Sequence, residues 1–287
     1  MAIKLGGGGG SASQINEVVT LNSSDRVVTL ADGRVYLRGG TYETNLATYP
    51  LASTSPQYTG TTFSVAAQEA TALGLTWDGT HFWMVGETDT VYKYTAVGVY
   101  TGTSFSVAAQ DTYPIGITWD GTYFWVVGHT NKTVYKYNAA GVYQSVSFSV
   151  VAQDINPSGI TWDGTNFWVV GFQNDAVYKY NSAGVYQNVS FSVASQDSLP
   201  RDITWDGTYF WVVGNGVDKA FKYSAAGVYQ GASFSLGIIE TSLSGVIWDG
   251  TAFWLMGFAT DAVYKCELSI GVESDSSFGG QNYVRVA

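Results

Sequence analysis

Short apolar runs separated by turn residues recur along most of the chain. Around Trp162 they read SGITW, NFWVV, AVYKY and GVYQNVSFSV, and each run has the length and the β-branched and aromatic content of a strand. Asp163 and Gly164 separate the first two runs, and an Asn-Ser-Ala-Gly turn separates the last two. The pattern predicts a unit of four antiparallel strands.

This unit occurs five times. Trp-Asp-Gly begins at Trp77, Trp119, Trp162, Trp205 and Trp248, and a second tryptophan follows each one six residues later. A period near 40 residues is typical of a propeller or a solenoid. The second and third runs are apolar on both faces, which favours sheets covered on both sides by neighbouring blades. We therefore predict an all-β fold, a β-propeller of four-stranded blades.

The number of runs favours five blades. Residues 58–65 match a fourth run but have no unit of their own, whereas the last unit ends after three runs at Cys266. Pairing 58–65 with the unit around Trp248 would close the ring and leave no exposed sheet edge. A six-bladed ring is the alternative, because LADGRVYLRGG at 30–40 resembles the Trp-Asp-Gly hairpin, although no VYKY-like run follows it.

The repeat divides the chain into three parts. Residues 1–56 form a Gly-rich arm and attachment region, 57–266 form the propeller, and 267–287 form a C-terminal tail. Because closure of the ring brings residues 58 and 266 together, we expect the two ends to pair into a small β-rich attachment region.

Composition argues against nucleic acid, membrane and metal partners. The net charge of −10 argues against nucleic acid, whose binding depends on clustered Lys and Arg. No run is long and apolar enough for a spanning helix or a secretory signal, so we expect synthesis in the cytoplasm and no membrane insertion. The two histidines and single cysteine suggest no metal site, and we predict no cofactor.

The repeated residues are predicted to build the blades. The aspartates of the five turns are too far apart around a ring to share a calcium ion, and the strict repetition of the tryptophans favours core packing over ligand stacking. The lysine of each third run, such as Lys136, is expected at the solvated rim, with the repeated aspartates as candidate partners. The aspartates are Asp78, Asp120, Asp163, Asp206 and Asp249.

The candidate binding residues lie where the repeats differ. Loops between second and third strands, and loops between blades, gather at one mouth of a propeller's channel, and variable loops on a constant scaffold are typical of binding modules. Asn, Gln, Asp and aromatic side chains suit a polar ligand such as a glycan. The candidates are Asp111, Tyr113, His129, Asn131, Lys132, Asp154, Asn156, Phe172, Gln173, Asn174, Asp197, Arg201, Asn215 and Lys219.

Two resemblances add to this interpretation. The unit PSGITWDGTNFWVVGFQNDAVYKYNSAGVYQ resembles the NHL-type propeller repeat, over roughly residues 58–266. The N-terminal MAIKLGGGGGSASQINEVV and LADGRVYLRGG, with the closing NYVRVA, look like the ends of bacteriophage tail-fibre and other tail-associated proteins. The second resemblance implies a virion component, located in the phage tail, whose ends bind other tail proteins and which is expected to form a homo-oligomer there.

Three functions follow as hypotheses. The first is a phage structural protein whose propeller loops bind a host-surface receptor such as a glycan, or a neighbouring virion subunit. The second is an enzyme of the lyase or lactonase type, since propellers similar to this one include streptogramin lyases and gluconolactonase-like hydrolases. The third is a purely structural connector. Because only His129 lies in a mouth loop and no second histidine joins it, we predict no catalytic residues and no enzymatic activity.

Overall fold

The computed structural model describes residues 56–236 and 240–267, together with the backbone of six short strands near the two ends of the chain. Contacts between Cα atoms divide the chain into two units. One is Pro56–Glu267, and the other combines Met1–Ser55 with Leu268–Ala287.

In the described part of the chain, two sheets belong to the unit at the chain ends. The first is a pair, β1 (Ala2–Lys4) with β2 (Val18–Thr20); the second has four antiparallel strands in the order β25 (Val272–Asp275), β26 (Tyr283–Val286), β4 (Val35–Arg38) and β3 (Val27–Thr29). The N-terminal strand β4 therefore pairs with the C-terminal strand β26. The attachment role of this unit stays a prediction.

The unit Pro56–Glu267 consists of five four-stranded antiparallel sheets. Blade 1 is β6 (Ala72–Trp77), β7 (His81–Gly86), β8 (Thr90–Thr95) and β9 (Tyr100–Ser106); blade 2 is β10 (Pro114–Trp119), β11 (Tyr123–Gly128), β12 (Thr133–Asn138) and β13 (Tyr143–Ser149); blade 3 is β14 (Pro157–Trp162), β15 (Asn166–Gly171), β16 (Ala176–Asn181) and β17 (Tyr186–Ser192); blade 4 is β18 (Pro200–Trp205), β19 (Tyr209–Gly214), β20 (Lys219–Ser224) and β21 (Tyr229–Phe234); blade 5 is β22 (Leu243–Trp248), β23 (Phe253–Gly257), β24 (Ala262–Glu267) and β5 (Gln57–Ser64).

The blades form a closed ring. The first strands β6, β10, β14, β18 and β22 contact one another in this order, and β22 contacts β6. Strand β5 pairs antiparallel with β24, with Phe63 opposite Val263, so the pairing expected for the leftover strand is present. The five-bladed propeller is confirmed. The six-bladed alternative is wrong, because Val35–Arg38 belongs to the sheet at the chain ends rather than to the ring.

Tryptophan and phenylalanine side chains join each blade to the next. Trp83, the second tryptophan of blade 1, is 3% exposed, and its ring centroid lies 4.7 Å from that of Phe124 in blade 2. The same pair recurs at every junction, with centroid distances of 4.6–4.9 Å, including the one that closes the ring: Trp125–Phe167, Trp168–Phe210, Trp211–Phe253 and Trp254–Phe82. Apolar second strands are thus buried between blades on both faces.

Each repeated aspartate fixes both a turn and one of these tryptophans. The Oδ1 atom of Asp163 accepts the backbone N–H groups of Thr165 and Asn166 at 2.8 and 2.7 Å, and Oδ2 accepts the indole N–H of Trp168 at 2.7 Å. All five turns have this arrangement. The sequence indicated the turn, but it did not indicate the bond to the indole.

The rim lysines have aromatic partners. The Nζ atom of Lys136 lies 3.7 Å from the ring centroid of Tyr123 and 5.2 Å from that of Trp125. Among the described residues no lysine forms an ion pair with a repeated aspartate, and the pairing considered from the sequence is therefore replaced by cation–π contacts.

Replacing Asp163 with Ala should lower the free energy of unfolding by about 2–3 kcal/mol, because the buried indole N–H of Trp168 loses its acceptor along with two turn amides. Urea unfolding measures this change. Thr165→Ala is the matched control, since the Thr165 side chain is exposed in the same turn. An equal effect of the two substitutions would contradict the role given to the carboxylate.

Candidate functional site

Two sets of loops meet at one mouth of the channel. In each blade the residue after the second strand donates its backbone N–H to the loop that leads into the same blade, as His129 does to the Tyr113 carbonyl at 2.8 Å and Phe172 to the Asn156 carbonyl at 2.9 Å. These bonds hold the most variable side chains of the repeat close together around the channel.

A buried carboxylate supports each pair of loops. Asp111 is 2% exposed, and its oxygens accept the backbone N–H groups of Tyr113 (2.9 Å), Thr130 (3.2 Å) and Asn131 (2.7 Å). A Cβ atom on Gly128 would clash with this carboxyl group, which explains the glycine. Glu69, Asp154, Asp197 and Glu240 occupy equivalent positions.

Three residues from the sequence-based set, Asp111, Asp154 and Asp197, are therefore occupied by loop backbone. Their oxygens hold the loops in place and are shielded from solvent, since each residue is at most 3% exposed. Their oxygens are therefore not available to a ligand in the channel mouth.

The second and third residues of the first strands show where the repeat breaks. The second residue of each first strand is Leu73, Ile115, Ser158, Arg201 or Ser244. The third is Gly74, Gly116, Gly159, Asp202 or Gly245. Blade 4 alone places a charged side chain at either position, and it does so at both.

Asp202 is buried between the first strands of neighbouring blades. It is 4% exposed, and its Oδ2 atom accepts the backbone N–H of Val246 in blade 5 at 3.0 Å. A Cβ atom on Gly159 in blade 3 would clash with its other oxygen. Burial raises the pKa of Asp202 well above its usual range, although backbone N–H groups of Val246, Ile203 and Ile160 act in the opposite direction.

A cavity with a volume of about 140 Å³ lies beside Arg201. Its walls combine apolar side chains with four polar ones, and they come from blades 1, 2, 4 and 5. They are Leu73, Tyr113, Ile115, Arg201, Asn215, Leu243, Ser244 and Phe258. This mixture of apolar walls and a few polar groups is typical of small-molecule sites.

Tyr113 connects the cavity to an acidic side chain. Its hydroxyl donates to Oε1 of Glu87 in blade 1 at 3.2 Å, and its ring meets the edge of the His129 ring with centroids 5.3 Å apart. Burial raises the pKa of Tyr113, the Glu87 charge and hydrogen bond raise it further, and the Arg201 charge acts in the opposite direction. The phenol is therefore protonated at neutral pH.

Arg201 is fixed by two contacts. Its guanidinium carbon lies 4.6 Å from the ring centroid of Phe172 in blade 3, and its Nε–H donates to the Asn215 side-chain oxygen at 3.3 Å. Burial lowers the pKa of Arg201, while the charges of Tyr113 and Asp197 act to raise it. The side chain remains a cation at neutral pH, because even a depressed guanidinium pKa lies far above 7.

His129 is the one mouth-loop histidine. Its Nδ1 atom lies 3.4 Å from the Pro157 carbonyl oxygen. In the tautomer in which Nδ1–H donates to that carbonyl, Nε2 is a hydrogen-bond acceptor and a base.

Other residues from the sequence-based set bond mainly to neighbouring loops. The Asn131 amide donates to the Gln110 carbonyl, the Lys132 ammonium to the Thr130 carbonyl, and the Asn174 amide to the Gln153 carbonyl. Asn156 donates to the Gln173 side chain, and Lys219 lies exposed at the start of β20. None of these lines the cavity.

Sequence reasoning missed several members of the site. Glu87 and Phe258 lie in the same loops as the predicted candidates but are not among them, and the apolar walls Leu73, Ile115 and Leu243 belong to first strands whose pattern indicates only a blade. One signal was available: the first strand of blade 4 reads PRDITW where blades 2 and 3 read PIGITW and PSGITW.

Within the described residues no group of three or more His, Cys, Asp or Glu side chains is arranged to hold a metal ion. In the same residues no helix has the length and apolar character needed to cross a bilayer.

Comparisons with known proteins identify similar folds but do not assign the chain to a family. No protein-family model matches the chain, and no curated protein sequence matches it. Among solved structures, the glutaminyl cyclase of Myxococcus xanthus is similar with a TM-score of 0.59 at 10% identity, covering 72% of this chain and 93% of that one. Virginiamycin B lyase from Staphylococcus aureus gives a TM-score of 0.47 at 16% identity, covering 88% and 84%.

The sequence-based prediction that the chain is not an enzyme is wrong. Its fold is shared by the Myxococcus glutaminyl cyclase, so a propeller of this kind can carry catalysis. That prediction rested on the missing second histidine, and histidine pairs are only one of several ways to transfer protons. At this identity the likeness extends to the fold and not to the reaction.

Substitution of Asp202 by Gly, the residue of the other four blades, should change how stability depends on pH. A carboxyl group whose pKa is raised by folding stabilises the protein below its unfolded pKa of about 4, and this contribution is lost as pH rises through the folded pKa. We therefore expect the Tm of Asp202→Gly to vary less between pH 4 and pH 8 than that of the wild type. Parallel Tm profiles would contradict this account.

Proposed function

We propose that the protein is an enzyme that binds a small polar group of its substrate in the mouth cavity and acts on it by proton transfer. The observation that carries the proposal is the convergence of Glu87 from blade 1, Tyr113 from the loop entering blade 2, and Arg201 from blade 4 on one site. The cavity of about 140 Å³ is smaller than a drug-sized pocket, which suits a small molecule or one end of a longer one.

Each of the three side chains has a role that follows from its surroundings. Tyr113 keeps its proton at neutral pH, and its single O–H, which donates to Glu87 in this structure, can turn to donate to a substrate oxygen that gains negative charge in the reaction. Glu87 accepts the Tyr113 O–H in this structure and, once that hydroxyl turns to the substrate, can receive a proton from the substrate or from a water molecule. Arg201 supplies a fixed positive charge that orients the substrate.

His129 is the second candidate base. Its ring contacts Tyr113. The Pro157 carbonyl contact is made by Nδ1, which leaves Nε2 as the nitrogen that can accept a proton. These groups support a lyase or lactonase type of reaction. In a lyase one side chain removes a proton from the substrate, and in a lactonase it removes a proton from the attacking water; in both a second side chain protonates the leaving oxygen or stabilises its charge.

Turnover of a defined panel tests the proposal. The panel contains glutaminyl peptides, because a glutaminyl cyclase has a similar fold. It also contains γ- and δ-lactones, because lactonases are among the propellers that this sequence resembles. We expect the wild-type chain to convert at least one member, and Tyr113→Phe to lower kcat/KM for it by about 100-fold or more, because proton donation is lost. Mass spectrometry of the reaction mixture measures both.

Tyr186→Phe is the matched control. It removes a hydroxyl from the fourth strand of blade 3. This strand lies at the edge of the blade opposite the first strand, so the substitution should leave kcat/KM unchanged. Wild-type activity in Tyr113→Phe, or no conversion of any panel member by the wild type, would count against the enzymatic proposal.

The virion setting is a second, separate proposal. It is supported by the resemblance of the chain ends to phage tail proteins, and most of the residues that carry this resemblance lie outside the described part of the chain. The pairing of Val35–Arg38 with Tyr283–Val286 adds that two of the resembling segments share a sheet. In this setting the propeller would meet a host-surface receptor, such as a glycan, or another tail protein.

Immunolabelling of purified tailed particles with antibody against residues 56–267 tests the virion proposal. We expect label on the tail, and adsorption to host cells should fall when the mouth residues Tyr113, Phe172 and Arg201 are replaced together. Particles without label would contradict the virion setting, whereas labelled particles with normal adsorption would favour a connector over receptor binding.

A further inference from the structure

We infer that Arg201 binds a carboxylate group carried on a short apolar chain. The inference deepens the proposed function, because it names the ligand class of the same cavity. It begins from a position at which four blades have a neutral residue and blade 4 has a cation.

The guanidinium of Arg201 has hydrogen-bond donors without protein acceptors. A guanidinium carries five N–H groups. Only Nε–H has an acceptor among the described residues, the side-chain oxygen of Asn215 at 3.3 Å, and no described carboxylate lies within ion-pair distance of Arg201. The charge of Asp197 acts on Arg201, but its oxygens accept loop N–H groups and make no direct contact with the guanidinium, so an anionic ligand would supply the direct counter-charge that this partly buried cation lacks.

The two protein contacts also prepare the group for one kind of anion. The Phe172 ring lies against the guanidinium at 4.6 Å, and the Asn215 side chain accepts its Nε–H. Together these contacts fix the plane of the guanidinium group. The two terminal nitrogens then present parallel donors, and this geometry matches the two oxygens of a carboxylate. Little side-chain entropy remains to be lost on binding.

The cavity walls define the rest of the ligand. Leu73, Ile115, Leu243 and Phe258 provide apolar surface beside Arg201. The volume of about 140 Å³ is close to that of an engineered cavity of about 150 Å³ that admits benzene. An apolar group of a few carbon atoms therefore fits next to the charge.

The acidic surroundings favour a singly charged ligand. The chain has a net charge of −10, Asp197 acts on Arg201, and Glu87 acts on Tyr113 across the same site. One guanidinium can offset the repulsion between these negative charges and a monoanion. A dianion such as phosphate would be repelled more strongly by the same charges.

Isothermal titration of the full chain with three matched compounds tests the inference. Butanoate, butanamide and butylammonium share their carbon chain and differ in charge. We expect butanoate to bind at least about 10-fold more tightly than either of the others, and Arg201→Gln to weaken butanoate by about 10- to 100-fold while butanamide is unaffected. Lys132→Gln, which removes another mouth cation, is the control and should change nothing.

A second variant covers the case in which Arg201→Gln fails to fold. Asn215→Asp is nearly isosteric and places a carboxylate on the partner of Arg201, so it should abolish the preference for butanoate. Equal binding of butanoate and butanamide by the wild type, or unchanged butanoate binding in folded Arg201→Gln or in Asn215→Asp, would overturn the inference.

These outcomes are separable from those of the turnover test. Loss of turnover in Tyr113→Phe together with Arg201-independent butanoate binding would refute the inference alone. Arg201-dependent butanoate binding without conversion of any panel member would refute the enzymatic proposal alone.

Discussion

Each blade is joined to the next by a tryptophan whose position is fixed at both ends. Its indole N–H donates to the aspartate of its own turn, and its ring packs on a phenylalanine of the neighbouring blade, as in Asp78, Trp83 and Phe124. A buried indole without an acceptor would be costly, and a turn without its carboxylate would leave two amides unpaired. One side chain therefore couples turn geometry to the spacing between blades, and five copies determine how the ring closes.

This coupling leaves the channel mouth free to vary. The tryptophan and aspartate act between blades, and the buried carboxylates such as Asp111 hold the loops from beneath. Neither set requires a particular residue at the second and third positions of the first strand. Arg201 and Asp202 replace the neutral residues found there in the other blades without disturbing the blade. The scaffold is nearly symmetric, whereas the site is not, and its chemistry comes from that difference.

The ring could be predicted from sequence because its cause is local and repeated. The turn dipeptide, the apolar runs and the unpaired run at 58–65 each follow from short-range patterning. The cavity could not be predicted, because Arg201 meets Phe172 and Tyr113 only after blades 2, 3 and 4 are arranged around the channel. For the same reason Asp111 looked like a loop residue open to ligand, although its burial depends on amides up to 20 residues away.

The closing strand also sets an order of events during synthesis. Strand β5 is made first among the strands of the ring, and its partner β24 follows roughly 200 residues later. At ribosomal rates of about 5–20 residues per second, β5 waits for about 10–40 s before it can pair. Its sequence QYTGTTFS is polar and mostly solvent-exposed even in the finished blade, which suits a segment that must remain unpaired without aggregating. The strand that removes the last open edge of the ring therefore remains unpaired during most of the chain's translation.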